Sequence, residues 1–161
     1  MTGPAAAADP GPCPEPDPAA SVEPPRRALV ADDEPHMLAL LTRVLECDGF
    51  HVVTATDGQA ALEVVARGGV DVVVCDLRMP RLDGLGVVRA LGAIPGGPPV
   101  VVVSASLEPD DAGALRAAGA RDVLRKPFEP AALRSAVRRA LAPAKILPGG
   151  PPGPPGLEAR P

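Results

Sequence analysis

A chain of 161 residues suits one domain of ordinary size, and with no Trp, no Tyr and only two Phe it has no aromatic platform for stacking bases. A net charge of −4 disfavours general nucleic-acid binding, which needs Lys and Arg against phosphate. No apolar stretch approaches the ~20 residues of a membrane span and no basic start leads into an apolar run, so a soluble cytoplasmic protein is expected.

Three cysteines (Cys13, Cys47 and Cys75) have neither metal nor redox spacing and read as free thiols in a reducing compartment. Proline accounts for 23 residues, and its placement divides the chain. Residues 1–26 mix Pro with Ala, Gly, Asp and Glu, and residues 143–161 mix Pro with Gly. Pro lacks the amide donor and clashes with a preceding helical turn, so both segments are expected to be disordered tails around a domain at 27–142. Gly150 to Glu158 reads as Gly-X-Y triplets, far too short an array for a collagen helix.

The domain alternates two periods. Ala28–Ala31 is a short apolar run and predicts a first strand. Pro35 opens a helix that Gly49 ends, with Leu38, Leu41, Val44 and Leu45 as its inward stripe. A buried strand at His51–Thr54 follows. Asp57 is placed to cap the second helix, which has Leu62, Val65 and Ala66 inward and Gly68 at its end. Asp71–Cys75 predicts the third strand, and Leu85, Val88 and Leu91 stripe the third helix. Val100–Val103 is four valines in succession, the pattern of a strand buried on both faces. A weaker Ala-rich helix spans Pro109 to Ala118, a strand spans Asp122–Leu124, and a helix runs from Glu129 to Leu141 with Leu133, Val137 and Leu141 inward. Five strand–helix units of this kind predict an α/β fold built on a doubly wound, five-stranded parallel sheet.

In such sheets, ligands bind at the carboxyl ends of the strands. The first strand ends in Asp32-Asp33-Glu34, the third in Asp76, the fourth in Ser104 and the fifth in Lys126-Pro127. Several carboxylates brought together repel one another, and a hard divalent cation such as Mg²⁺, which prefers oxygen ligands, relieves that repulsion. An Asp beside Mg²⁺ is a nucleophile toward phosphorus, while an ammonium and a hydroxyl suit the oxygens of a transferring phosphoryl group. Each residue also has a plainer reading. Acids favour helix starts, Asp76 would cap a turn, any strand ends in Ser, and Lys126 would be a surface lysine.

Taken in order, Ala31-Asp32-Asp33-Glu34-Pro35, then Asp76 through Gly84 (DLRMPRLDG), then Val103-Ser104-Ala105, then Lys126-Pro127-Phe128 resemble the response-regulator receiver family over residues 27–142. The resemblance implies a flavodoxin-like (βα)5 receiver fold with Asp76 as phosphoacceptor. Asp33, Asp76 and the Arg78 carbonyl would hold Mg²⁺, and Asp32 would act through water. Ser104 and Lys126 would bind the phosphoryl group, and the Lys126–Pro127 peptide would be cis. It also implies that Arg78 and Ser106 influence the lifetime of the phosphoryl bond. The phosphodonor would be a sensor histidine kinase or phosphotransfer protein. A separate downstream protein would read the result, by protein contact and without direct DNA binding, because the 19 residues from Pro143 onward hold no output domain. Such a protein is no enzyme beyond self-catalysed transfer and loss, and is expected to be a monomer or weak dimer without membrane contact.

One position departs from the family. Val123 stands where relatives carry Tyr or Phe, and a valine cannot rotate inward as the aromatic ring does. A phosphorylation-independent scaffold is therefore an alternative. A haloacid-dehalogenase-like phosphatase is another, opposed by Arg78, which occupies the position of the second Asp those enzymes require. His36 and His51 have no partners at ligand spacing. Cys75 reads as a small buried apolar residue. Arg134, Arg138 and Arg139 read as a solvated helix face or, alternatively, as a contact for an acidic partner.

Overall fold

The computed structural model describes residues 25–142. Ten elements alternate without interruption: β1 Arg27–Ala31, α1 Pro35–Cys47, β2 His51–Ala55, α2 Gly58–Ala66, β3 Val72–Asp76, α3 Gly84–Gly92, β4 Val100–Ser104, α4 Asp111–Ala118, β5 Asp122–Arg125 and α5 Pro130–Leu141. The strands form one parallel sheet in the order β2-β1-β3-β4-β5. This is the flavodoxin-like winding, in which chain direction across the sheet reverses between β1 and β3. The tails expected outside 27–142 lie outside the described residues, apart from Pro25 and Arg26.

Strand periodicity sorts the core into two layers, because successive side chains point to opposite faces. Leu29, Ala31, Val73, Cys75, Val100 and Val102 face α2, α3 and α4. Ala28, Val30, Val72, Val74, Val101 and Val103 face α1 and α5. Every residue of β3 and β4 is buried, so the valine runs supply both layers at once. Each fully buried Val or Leu contributes roughly 1.5–3 kcal/mol, which lets an almost entirely aliphatic core carry the fold.

Helix starts are fixed locally. Asp57 caps α2 by accepting from Ala60 N at 2.8 Å, and Asp83 caps α3 by accepting from Gly86 N at 2.8 Å. Pro35 and Pro130 occupy first-turn positions of α1 and α5, where a missing N–H costs nothing.

Three details depart from the pattern read in the sequence. β2 is not a buried strand: His51 and Thr54 are exposed, because β2 is an edge with β1 as its only neighbour. Ala66 is exposed, and α2 buries its first turn through Gly58 and Ala61 rather than its last. In α3 the inward stripe is Gly84, Val87, Val88 and Leu91, with Leu85 half-buried beside it. Of the cysteines, Cys75 is free and buried. Cys47 is disulfide-bonded, which corrects its reading as a free thiol, and Cys13 lies outside the described residues.

Candidate functional site

The carboxyl ends of β1, β3, β4 and β5 bring the expected polar residues to one rim. Carboxylate oxygens of Asp32, Asp33 and Asp76 all lie within 4.8 Å of one another. Lys126 Nζ reaches between two of them, 3.0 Å from Asp32 Oδ2 and 3.3 Å from Asp76 Oδ1. Asp32 is fully buried, Asp76 nearly so, and Asp33 is exposed. The second oxygen of Asp32 accepts from Glu34 N at 2.9 Å, so this carboxylate is held at both ends. Ser104 is buried at the end of β4, and its Oγ accepts from Ser106 N at 3.2 Å.

Backbone contacts set the rim. Lys126 N donates to Ser104 O at 2.9 Å, which ties the end of β5 to β4 beyond the last paired residues. The Lys126–Pro127 peptide is cis. Gly84 closes the loop after Asp76: its N–H donates to Leu77 O at 2.7 Å. A Cβ at that position would lie 2.5 Å from Asp76 O and 2.7 Å from Leu77 Cα. Only glycine lets α3 begin this close to the end of β3.

The electrostatics are unbalanced. Burial lifts the Asp76 carboxyl above its ordinary value; Lys126 pulls against that lift, and the charges of Asp32 and Asp33 add to it. Burial alone would lower the Lys126 ammonium, but the hydrogen bond and charge of Asp32, joined by Asp76, outweigh it and hold Lys126 above its ordinary value. Burial first, and then the charge of Asp76, pushes the neighbouring Cys75 thiol far up, so it is inert as a thiolate. Three carboxylates facing one ammonium leave room for two more positive charges. The donor set is oxygen alone, which fits Mg²⁺ and does not suit a thiol-seeking metal.

The model of the response regulator receiver domain matches residues 28–138. The chain belongs to the receiver family of two-component response regulators. Transcriptional regulatory protein PrrA of Mycobacterium tuberculosis is 45% identical over 115 residues, covering 71% of this chain and 49% of the relative. DNA-binding response regulator MtrA of Mycolicibacterium smegmatis is 37% identical over 116 residues, covering 72% and 50%. The chain thus spans about half the length of these curated relatives. Among solved structures, the response regulator receiver domain protein of Clostridium thermocellum superposes with a TM-score of 0.68 at 30% identity, covering 72% of this chain and 94% of that one. Chemotaxis response regulator CheY4 of Vibrio cholerae gives 0.68 at 28% identity, covering 73% and 100%.

Beside the acidic rim the receiver opens a cleft of about 670 Å³. Asp33, Arg78 and Met79 line it, and so do Asp83 and Asp111, two acids with no chemical role read from the sequence. Asp83 was legible as a helix cap. Asp111 was not, because its position at the cleft depends on where α4 lies. Val123 is half-buried against the layer under α2, α3 and α4.

His36 and His51 are exposed. Two of the three arginines of α5, Arg138 and Arg139, are committed within the chain. Arg138 pairs with Asp48 at 2.6 Å, and Arg139 holds the buried Asp122 through two nitrogens at 3.0 and 2.7 Å. Arg116 of α4 reaches the other oxygen of Asp122 at 3.0 Å, so this carboxylate joins α4, β5 and α5. Burial would raise Asp122, but the Arg139 hydrogen bond, the Val123 N–H and the two arginine charges outweigh it and hold it below its ordinary value. Among the described residues no helix is long and apolar enough to cross a membrane.

Proposed function

We propose that this receiver takes a phosphoryl group onto Asp76 from the phosphohistidine of a sensor histidine kinase or phosphotransfer protein. The observation that carries the reading is Lys126 Nζ at 3.0 and 3.3 Å from Asp32 and Asp76, with Asp33 sharing the same small volume. In this reading Asp33, Asp76 and the Arg78 carbonyl would hold Mg²⁺, with Asp32 acting through water. Bound there, the ion supplies charge neutralisation for a phosphoryl oxygen.

The chain's own residues do the rest. An Asp76 oxygen attacks phosphorus and forms the O–P bond. The N–P bond of the donor breaks, its electron pair stays on the imidazole nitrogen, and that nitrogen takes up a proton from solvent. Lys126 and the Ser104 hydroxyl hold the phosphoryl oxygens as the charge spreads. Ser104 Oγ accepts from Ser106 N, so its own proton remains available for donation. Because Asp76 carries the product, the protein modifies itself and turns over no substrate beyond the loss of that group to water.

Readout through contact with another protein is favoured by the net charge of −4, which opposes direct binding to DNA. The match covers only about half of each curated relative named above, and PrrA and MtrA are described as a transcriptional regulatory protein and a DNA-binding response regulator. A DNA-binding readout would therefore need a segment beyond the receiver. The Val123 departure supports a second reading, a scaffold that does not use phosphorylation.

Incubation with acetyl phosphate and Mg²⁺ followed by intact mass separates the two. A single phosphoryl adduct absent from Asp76→Asn supports the switch. An unmodified wild-type protein supports the scaffold.

A further inference from the structure

The loop between β3 and α3 carries Arg78, and it is held by a contact that no motif announces. Leu82 N donates to Pro80 O at 2.8 Å, closing a three-residue turn centred on Arg81. Arg81 is the only non-glycine described residue with positive φ, at 70°. A turn of that hand is strained for any side-chain-bearing residue and persists only where its surroundings over-determine it.

Two neighbours do so. Arg81 Nη1 lies 3.4 Å from Asp57 Oδ2, the free oxygen of the carboxylate that caps α2. Gly58, at the start of α2, presses on the same turn: a Cβ there would lie 2.2 Å from Leu82 O and 2.9 Å from Leu82 C. The first turn of α2 is therefore seated on the loop. Asp57 is nearly buried and uses both oxygens, one on its own helix and one on Arg81.

We infer that Asp57 is a positioning residue for the metal end of the site: through Arg81 it holds the strained Pro80–Leu82 turn, and so fixes the loop that presents the Arg78 carbonyl. The inference rests on the proposed Mg²⁺ site. Asp57 touches neither ion nor phosphoryl group; it acts through the loop.

The test is Mg²⁺ titration of the full chain, followed by calorimetry and by amide shifts, since the chain has no Trp or Tyr to report by fluorescence. Asp57→Asn keeps the helix cap, because Asn accepts the same bond from Ala60 N, but removes the charge facing Arg81. Arg81→Gln removes the other partner. Each is expected to weaken Mg²⁺ binding about three- to tenfold, less than the 10–100-fold common for groups that touch a ligand directly. Thermal midpoints should stay close to wild type. The double variant should bind no more weakly than either single one, as a shared contact requires.

A purely structural role would instead lower the midpoint and leave the Mg²⁺ dissociation constant unchanged. Unchanged affinity in both single variants, or additive losses in the double, overturns the clamp and leaves the metal site standing. Wild-type protein without saturable Mg²⁺ binding overturns both.

Discussion

Replacing Asp76 by Asn is expected to stabilise the metal-free protein while abolishing phosphorylation. At an effective dielectric of about 20, the Lys126 ammonium at 3.3 Å attracts the Asp76 carboxylate by about 5 kcal/mol. Asp32 and Asp33, within 4.8 Å, each repel it by about 3.5 kcal/mol or more before screening. Asp33 is exposed, so its share falls by roughly half. Attraction and repulsion then nearly cancel, and the desolvation of Asp76 decides the sign. An amide is also costly to bury, so about 1–2 kcal/mol of the ion's penalty is relieved, raising the unfolding midpoint by about 3–8 °C.

The pH dependence gives a second check. The folded Asp76 carboxyl lies above its ordinary 3.8, so its contribution is fully favourable below 3.8 and is lost as pH rises through the folded value. The gap between Asp76→Asn and wild type should therefore be widest at neutral pH and close on acidification. Saturating Mg²⁺ should raise the wild-type midpoint more than that of the variant. Far-ultraviolet circular dichroism melts, with and without Mg²⁺, measure all three. A variant that melts below wild type at neutral pH without Mg²⁺, or a gap indifferent to pH, would refute the charge argument.

Lys126→Ala leaves the fully buried Asp32 without its cation and is expected to cost about 3–5 kcal/mol, read from denaturant unfolding, with Mg²⁺ restoring part of the loss. Gly84→Ala forces a Cβ to within 2.5 Å of Asp76 O; a loss of about 1–3 kcal/mol and slower labelling by acetyl phosphate should appear together. Asp122→Ala should cost about 1–2 kcal/mol, discounted because both arginine partners are more than half exposed. Asp122 lies below its ordinary value, so its stabilisation is present above 3.8 and lost as pH falls through the lowered value; wild type and variant should converge in strong acid. With Val123 in place of an aromatic residue, amide exchange in β4, α4 and β5 should change little when beryllofluoride and Mg²⁺ are added; a large protection change there would show that another route carries the signal.

How much of this was legible in the sequence depends on the length scale of the interaction. Strands β3 and β4 announced themselves as valine runs because both of their faces are buried. Edge strand β2 reads equally apolar at Val52 and Val53, yet its exposure follows from strand order, which no local pattern states. The site was legible as residue types at strand ends: Asp32, Asp33, Asp76, Ser104 and Lys126 stand where the winding rule puts a ligand. The partnership of Lys126 was not, because its preference for Asp32 over Asp76 is a matter of a few tenths of an ångström. The Asp57–Arg81 and Asp122–Arg139 pairs were hidden for the same reason. Each joins two elements whose contact exists only after the sheet is wound.

The balance at Asp76 links stability to function. A carboxylate placed for stability alone would resemble Asp122, which three arginine nitrogens hold and whose charge favours the fold. Asp76 has one ammonium, shared with a closer competitor, and two acidic neighbours. That deficit makes the residue costly in the metal-free fold. It is also what would draw a divalent ion and what a transferred phosphoryl group would redistribute. Asp76 and Asp122 therefore perturb stability on opposite sides of 3.8, the first above it and the second below. An added cation that silenced the Asp76 charge, whether Mg²⁺ or an engineered side chain, should flatten the upper limb of the stability–pH curve and leave the lower limb unchanged.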